Sequence, residues 1–309
     1  MDLEPPPSGL APADCARFGY SIFSARYGNI YSVRQLLQLA QEAFGLRQPE
    51  NWVWTGPGGK LWDGLRPGVE PQGLDSEDEV RAHREQHIRA VRKMFEAVQV
   101  FVFTMGLTEA WVDRASGTVY PTAPGTIAGS YDPERFVFCN FTCQEVMEDF
   151  LEFRSLIRRH NANVEVRFLI TVSPVPLAAT ATDDHVLSAT LHSKSVLRAA
   201  AGELARLHPD VDYFPSFEIV INPWATRPAF EADGRTVRED VVSEVMRSFL
   251  SAHHVEGTLA VEPARRTTID AAVPSQLVEL AGPDTASFNA AEVICEEAIL
   301  SAFADPGTP

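Results

Sequence analysis

Two runs rich in β-branched and aromatic residues constrain this chain more than any other feature: Ala97-Val98-Gln99-Val100-Phe101-Val102-Phe103-Thr104, and Val164 to Val172 (VEVRFLITV). Each reads as a buried strand of a parallel sheet. The segment between them includes Cys143 to His160, whose apolar residues recur at helical spacing. Strand, helix and strand then form a crossover unit, which is right-handed in nearly all proteins. A helix from Ser193 to Leu207 and a short strand around Asp212 to Tyr213 continue the alternation, so an α/β fold is expected, with a parallel sheet carrying helices on both faces.

Further elements follow from the same periodicity. From Ser32, SVRQLLQLAQEAFG puts Val33, Leu36, Leu37, Ala40 and Phe44 on one face and stops at Gly45, a residue suited to a helix end. Asp75 to Met94 predicts a second helix, with Ser76 and Glu79 in capping-box register and Ile88, Val91 and Phe95 facing inward. Between them, Asn51 to Gln72 mixes Trp52, Trp54 and Trp62 with glycines and prolines, the composition of short strands joined by turns. A helix near Arg238 to His253 and an amphipathic one over Ser287 to Phe303 close the chain. The organisation expected is a proline-rich extended arm over 1–17, an α/β domain over 18–254 with a small Trp/Gly-rich insertion at 51–74, and an extension over 255–309 bearing one helix.

Charge narrows the partners. Against 26 basic residues stand 42 acidic ones, a net charge of −16 that repels phosphate backbones and anionic lipid surfaces, so neither nucleic acid nor a membrane is expected as a partner. The start, MDLEPPPSGLAPADC, is acidic and proline-rich where a signal peptide carries a basic end and an apolar run. No apolar stretch approaches the ~20 residues of a membrane span. Cys15, Cys139, Cys143 and Cys295 make neither a secreted disulfide framework nor a usual zinc spacing, and a reducing, cytoplasmic location is expected.

In an open parallel sheet, ligands bind beyond the carboxyl ends of the strands. After the first strand, Thr104-Met105-Gly106-Leu107-Thr108-Glu109-Ala110-Trp111 places the N–H of Gly106 where it can face an oxyanion, with Thr108, Glu109 and Trp111 nearby as ligand-binding candidates. The same residues also suit a tight turn with a core tryptophan. After the second strand, Ser173-Pro174 opens a turn, and His185, His192, Ser193, Lys194 and Ser195 follow. A histidine of ordinary pKa, ~6.5, can take a proton from a hydroxyl near neutrality, which makes His185 with Ser173 or Ser193 the candidate catalytic set and Lys194 a holder of phosphate or carboxylate. Ser193 equally suits a helix N-cap and Lys194 a solvated first turn. Tyr213-Phe214-Pro215-Ser216-Phe217-Glu218 either closes the same crevice or is aromatic core.

His83 and His87 lie four apart on a predicted helix, but the residues between them are not those of a His-Glu-x-x-His zinc site, and no metal is expected. The chain has no Gly-x-Ser-x-Gly elbow, Walker loop or dinucleotide fingerprint, and no cofactor is expected.

In order and at consistent spacing, FGYSIFSARYGNIY from Phe18, FTMGLTEAWVD from Phe103, LITVSPVPL from Leu169, HSKSVLRAAAGELA from His192 and VDYFPSFEIV from Val211 resemble the GSCFA domain family, over roughly Phe18 to His253. That family is similar to the SGNH-type hydrolases and acyltransferases, with a flavodoxin-like sheet. The resemblance implies that Gly106 lies near a block that supplies a glycine N–H, and that the Ser173 turn adds polar groups around an oxyanion. It also implies an ester substrate, with sugar esters among the candidates.

This chain departs from the family pattern twice. The Gly-Ser-Cys-Phe-Ala motif of a first strand, which holds the presumed nucleophile, belongs upstream of the proline-rich arm, and the chain contains no such segment. A sheet missing its first strand is therefore expected, its exposed edge covered by a partner or a second copy. Where the family has an Asp-x-x-His block, this chain reads Asp233-Gly234-Arg235-Thr236-Val237-Arg238-Glu239-Asp240, so His185 would have to substitute. Two readings stay open. One is an SGNH-like esterase or acyltransferase, impaired in this chain, with Ser173, Ser193, Ser195 or Ser216 as nucleophile. The other is a non-catalytic relative that binds a ligand or partner in the same crevice, where Trp52, Trp54, Trp62 and Trp111 would stack on sugar rings if exposed.

Overall fold

The computed structural model describes residues 6, 8–11, 14, 15, 18, 20, 25–163 and 165–252. The extension over 255–309 with its expected helix, and most of the arm over 1–17, lie outside the described residues. The chain divides into a larger unit, Met1–Ser173 with Ala179–Pro215, and a smaller one, Pro174–Ala178 with Ser216–Pro309.

The larger unit begins with helix α1 (Val33–Ala43), the strands β1 (Val53–Thr55) and β2 (Leu61–Asp63), and helix α2 (Glu77–Ala97). Strands β3 (Val100–Met105), β4 (Glu109–Asp113), β5 (Val119–Tyr120) and β6 (Phe136–Asn140) follow. It ends with α3 (Cys143–His160), β7 (Arg167–Val172), α4 (Val186–Leu207) and β8 (Val211–Tyr213). The smaller unit holds α5 (Ser216–Val220) and α6 (Glu239–Ala252). No helix among the described residues is long and apolar enough to cross a membrane.

Helix ends fall where the caps are. Ser32 accepts the Gln35 N–H to start α1, and Thr142 and Glu145 form a reciprocal capping box on α3. At α2 the Ser76 hydroxyl accepts the Glu79 N–H, while the Glu79 carboxylate reaches the N–H of Asp75, one residue before the cap.

The expected crossover is present: β3, β7 and β8 pair in parallel in that order, with Phe101 opposite Phe168 and Met105 opposite Val172. Phe101, Phe103 and Met105 share a buried face with Phe168, Ile170 and Val172. The ring of Phe153 from α3 packs 5.0 Å from Phe101 and 6.2 Å from Phe168, and Phe95 from α2 closes the cluster at 5.7 Å from Phe153. The crossover helices α3 and α4 pack side by side, as two right-handed crossovers running the same way across a sheet require, so both lie on one face. On the other face of β3, Val100 and Val102 are 55% and 45% exposed.

The strands do not make one sheet. A separate antiparallel sheet, in the order β5-β4-β6, forms between Glu109 and Asn140, where no strand was expected, with Glu109 opposite Asn140 and Trp111 opposite both Phe138 and Tyr120. The third sheet is the hairpin β1-β2, in which Trp54 pairs with Trp62. Both indoles are buried, against Tyr120, Ala128 and Phe136. Each lies over bare backbone: a Cβ on Gly64 would come within 2.4 Å of the Trp54 ring, and one on Gly56 within 2.5 Å of the Trp62 ring.

Buried charge fastens these parts. Asp113, fully buried, accepts hydrogen bonds from the Asn51 amide, the N–H groups of Ala115 and Ser116, and the Ser116 hydroxyl. Burial alone would raise its pKa, but these donors hold the carboxyl below its ordinary value. Asp63 accepts from Arg66 and Arg84, Arg84 also pairs with Glu42, and Arg26 pairs with Glu70.

Asp149 on α3 is the opposite case. Burial pushes its carboxyl up to about 6, although Arg34 of α1 grips both oxygens at 2.6 and 2.7 Å. Because the folded-state pKa lies above the unfolded one, the protonated form contributes stability that is complete below the unfolded value of about 4 and is lost as pH rises through about 6. Asp149→Asn, which cannot ionise, should therefore be worth roughly 1–3 kcal/mol more relative to the parent at about pH 7 than at about pH 4.5 in urea unfolding. Parallel stability curves for the two proteins would show that Asp149 does not titrate in this way.

Candidate functional site

The carboxyl ends of β3 and β7 bring together most of the residues expected to carry chemistry. Met105 lies opposite Val172, and the Ser173 N–H donates to the Met105 carbonyl at 2.9 Å, so Ser173 sits beside Gly106. From Gly106 the chain runs directly into β4, which presents Glu109 and Trp111 on one face.

The expected donor at Gly106 is already engaged. Its N–H donates to the Tyr31 carbonyl at 2.9 Å, and the Leu107 N–H donates to the same oxygen at 3.2 Å. The carbonyl of Gly106 accepts the Lys194 ammonium at 2.6 Å. A Cβ at position 106 would lie 2.9 Å from the Tyr31 oxygen, so glycine is required here by the close approach of two backbones. In this structure, the Gly106 N–H faces a carbonyl of the chain itself.

Ser193 and Lys194 are also placed differently from expectation. The helix starts seven residues earlier than Ser193, at Val186, and its N-cap is His185. Ser193 is fully buried on α4, where its hydroxyl accepts the Thr108 N–H at 3.0 Å, and Lys194 is 3% exposed rather than solvated. A sequence window cannot separate a serine at a helix start from one eight positions inside, since His185 is a weaker cap signal than Ser193. Thr108, fully buried, donates its hydroxyl proton to Asn140 Oδ1 at 2.6 Å.

His185 is exposed, and its Nδ1 accepts the Leu187 N–H at 3.2 Å. That bond uses the Nδ1 lone pair, so the neutral ring carries its proton on Nε2 and has no second lone pair with which to accept one. In the smaller unit, Asp233 closes a turn by accepting the N–H groups of Arg235 and Thr236, and the Thr236 hydroxyl holds its carboxyl below the ordinary value.

Elsewhere in the larger unit, His83 and His87 do separate work. His87 is buried and donates from Nδ1 to the Ala25 carbonyl at 2.6 Å, while burial and the nearby Arg66 and Arg84 hold its pKa well below the ordinary value. His83 lies 3.4 Å from Glu70. A small solvent-open pocket of about 30 Å³ is lined by residues that include Gln35, Gln38, Glu42, Arg84 and His87. Its polar groups brace the scaffold: Arg84 holds Glu42, Gln38 bridges Gly117 and Val119, and Gln35 bridges Asn29 and Tyr31.

Of the tryptophans considered for stacking, Trp54 and Trp62 are buried and Trp52 lies under Arg81 and Arg84. Trp111 is half-buried, edge-on to Tyr131 at 5.1 Å and to Phe138 at 5.8 Å. Glu109 accepts the Thr180 hydroxyl through one carboxylate oxygen at 2.8 Å. Tyr131, Phe138, Asn140 and Thr180 were not legible as site residues. The neighbours of Phe138 and Asn140 are set by the pairing of β4 with β6, which joins segments more than twenty residues apart, and Thr180 reaches Glu109 from the loop after β7.

Fold and site together define an α/β protein whose parallel sheet ends in a hydrogen-bonded cluster of Gly106, Thr108, Ser193 and Lys194. The GSCFA family model matches residues 13–249, and the chain belongs to the GSCFA family. No curated protein and no solved structure matches it.

Gly106→Ala should cost about 1–3 kcal/mol, because either the Tyr31 backbone or the end of β3 must move. Urea denaturation measures it, and an unchanged midpoint would mean that the close approach is not a constraint.

Proposed function

We propose that this GSCFA-family chain binds a small ligand beyond the end of β3 and does not perform ester chemistry with Ser193 and His185. The observation that carries the reading is that these groups already serve the scaffold. The Ser193 hydroxyl is fully buried and caps the Thr108 N–H, the His185 Nδ1 caps α4, and the Gly106 N–H is given to Tyr31. A nucleophile needs a base within hydrogen-bond reach and an unoccupied donor for the developing oxyanion. β3 is an edge strand of the parallel sheet among the described residues, which supports a further expectation, that a partner or a second copy covers this edge.

Ser173 supports a second reading, that of an SGNH-like esterase or acyltransferase, since it is half-buried and stands at the carboxyl end of the sheet beside Gly106. A fluorophosphonate probe applied to the native protein, followed by peptide mapping, separates the two readings. The binding reading expects no labelled serine. Stoichiometric labelling of Ser173, lost in Ser173→Ala, would establish the esterase reading in its place.

A further inference from the structure

The antiparallel sheet presents apolar rings beside hydrogen-bonding groups of the kind that recognise a sugar. On one face of β4, Trp111 follows Glu109 at a spacing of two residues, about 7 Å along the strand. On β6 the residues opposite are Phe138 and Asn140, so the ring pair and the polar pair lie in adjacent rungs of the same face. The hairpin indoles Trp54 and Trp62 cover the part of this face around Tyr120 and Phe136, and the Trp111 end remains half-exposed. Tyr131, 50% exposed, stands edge-on to Trp111 and widens the aromatic surface.

The polar pair has unused capacity. Glu109 gives one carboxylate oxygen to Thr180, and Asn140 gives its carbonyl oxygen to Thr108, which fixes both side chains. The other Glu109 oxygen, an acceptor, and the Asn140 amide nitrogen, a donor, have no hydrogen bond to any described residue. An adjacent acceptor and donor match two neighbouring hydroxyls of a pyranose, and the aromatic rings match the apolar C–H face of the same ring. A purely apolar ligand would leave Glu109 and Asn140 unpaired, and an anion would meet the Glu109 carboxylate.

We propose that Trp111, Tyr131 and Phe138, with Glu109 and Asn140, form a binding site for a neutral pyranose ring, stacked on the aromatic side chains and hydrogen-bonded to the carboxylate and amide. The proposal names the ligand class for the binding reading given above and rests on it. A β-glucopyranoside is the suitable probe, because its all-equatorial substituents leave axial C–H groups on both ring faces.

Saturation-transfer NMR of the full chain with methyl β-D-glucopyranoside tests it. Transfer is expected to the axial ring protons more than to the methyl group, and Glu109→Gln should weaken binding about tenfold. Trp111→Ala should abolish transfer, and because Trp111 also packs on the core, Tyr131→Ala serves as the second variant, expected to reduce transfer while the melting temperature stays unchanged. No transfer to the parent protein, or equal transfer to a folded Tyr131→Ala and Glu109→Gln, would overturn the sugar site. The two readings fail separately. Absent transfer with no labelled serine removes the sugar and leaves a ligand of other chemistry, whereas a fluorophosphonate-labelled Ser173 overturns the binding reading whatever the sugar result.

Discussion

The Tyr31 carbonyl oxygen governs the end of the parallel sheet. It accepts two consecutive N–H groups, from Gly106 and Leu107, just where β3 ends and the chain turns toward β4. Backbone donors freed where a strand ends need partners, and here they are satisfied by the residue that leads into α1. The lysine and serine of α4 complete the arrangement, one on the Gly106 carbonyl and the other on the Thr108 N–H. Loss of any one partner would leave a buried polar group unpaired, at a cost of about 1–3 kcal/mol. The sheet end, the entry to α1 and the middle of α4 are in this way tied to one position, and the direction of β4 follows from it.

Residues that look chemical in the sequence take part in that constraint. A glycine at a strand end, followed by a threonine, and a Ser-Lys pair on a helix are what an oxyanion site and a nucleophile also require. What distinguishes the two uses is where the hydrogen bonds go. Gly106, Thr108, Ser193 and Lys194 satisfy one another and the Tyr31 carbonyl, while Glu109 and Asn140, one step further along β4 and β6, keep unused acceptors and donors. The unused hydrogen-bonding groups lie beside the cluster.

Legibility in the sequence followed the range of the interactions. Helix α1 and helix α3 were readable to within two residues because their apolar periodicity and N-caps are local, and the parallel pairing of β3 with β7 followed from two apolar runs joined by a helix. The start of α4 was misplaced because a histidine cap gives a weaker signal than the serine inside the helix. The antiparallel sheet was missed, since β5 has only two residues and the loop between β5 and β6 is rich in glycine and proline. Which of its side chains stand opposite one another depends on cross-strand register, which no window of sequence contains. Of the three small sheets, the parallel one and the hairpin β1-β2 were expected, and the antiparallel β5-β4-β6 was not.

The measurement that bears most directly on this account is amide hydrogen exchange, read residue by residue, at Gly106, Leu107 and Thr108. If these N–H groups are held by Tyr31 and Ser193, they exchange as slowly as the core amides of β7, and Ser193→Ala releases Thr108 selectively. Fast exchange at all three, typical of an open turn, would mean that the donors at the end of β3 are free to meet a ligand, and would contradict the assignment of this cluster to the scaffold.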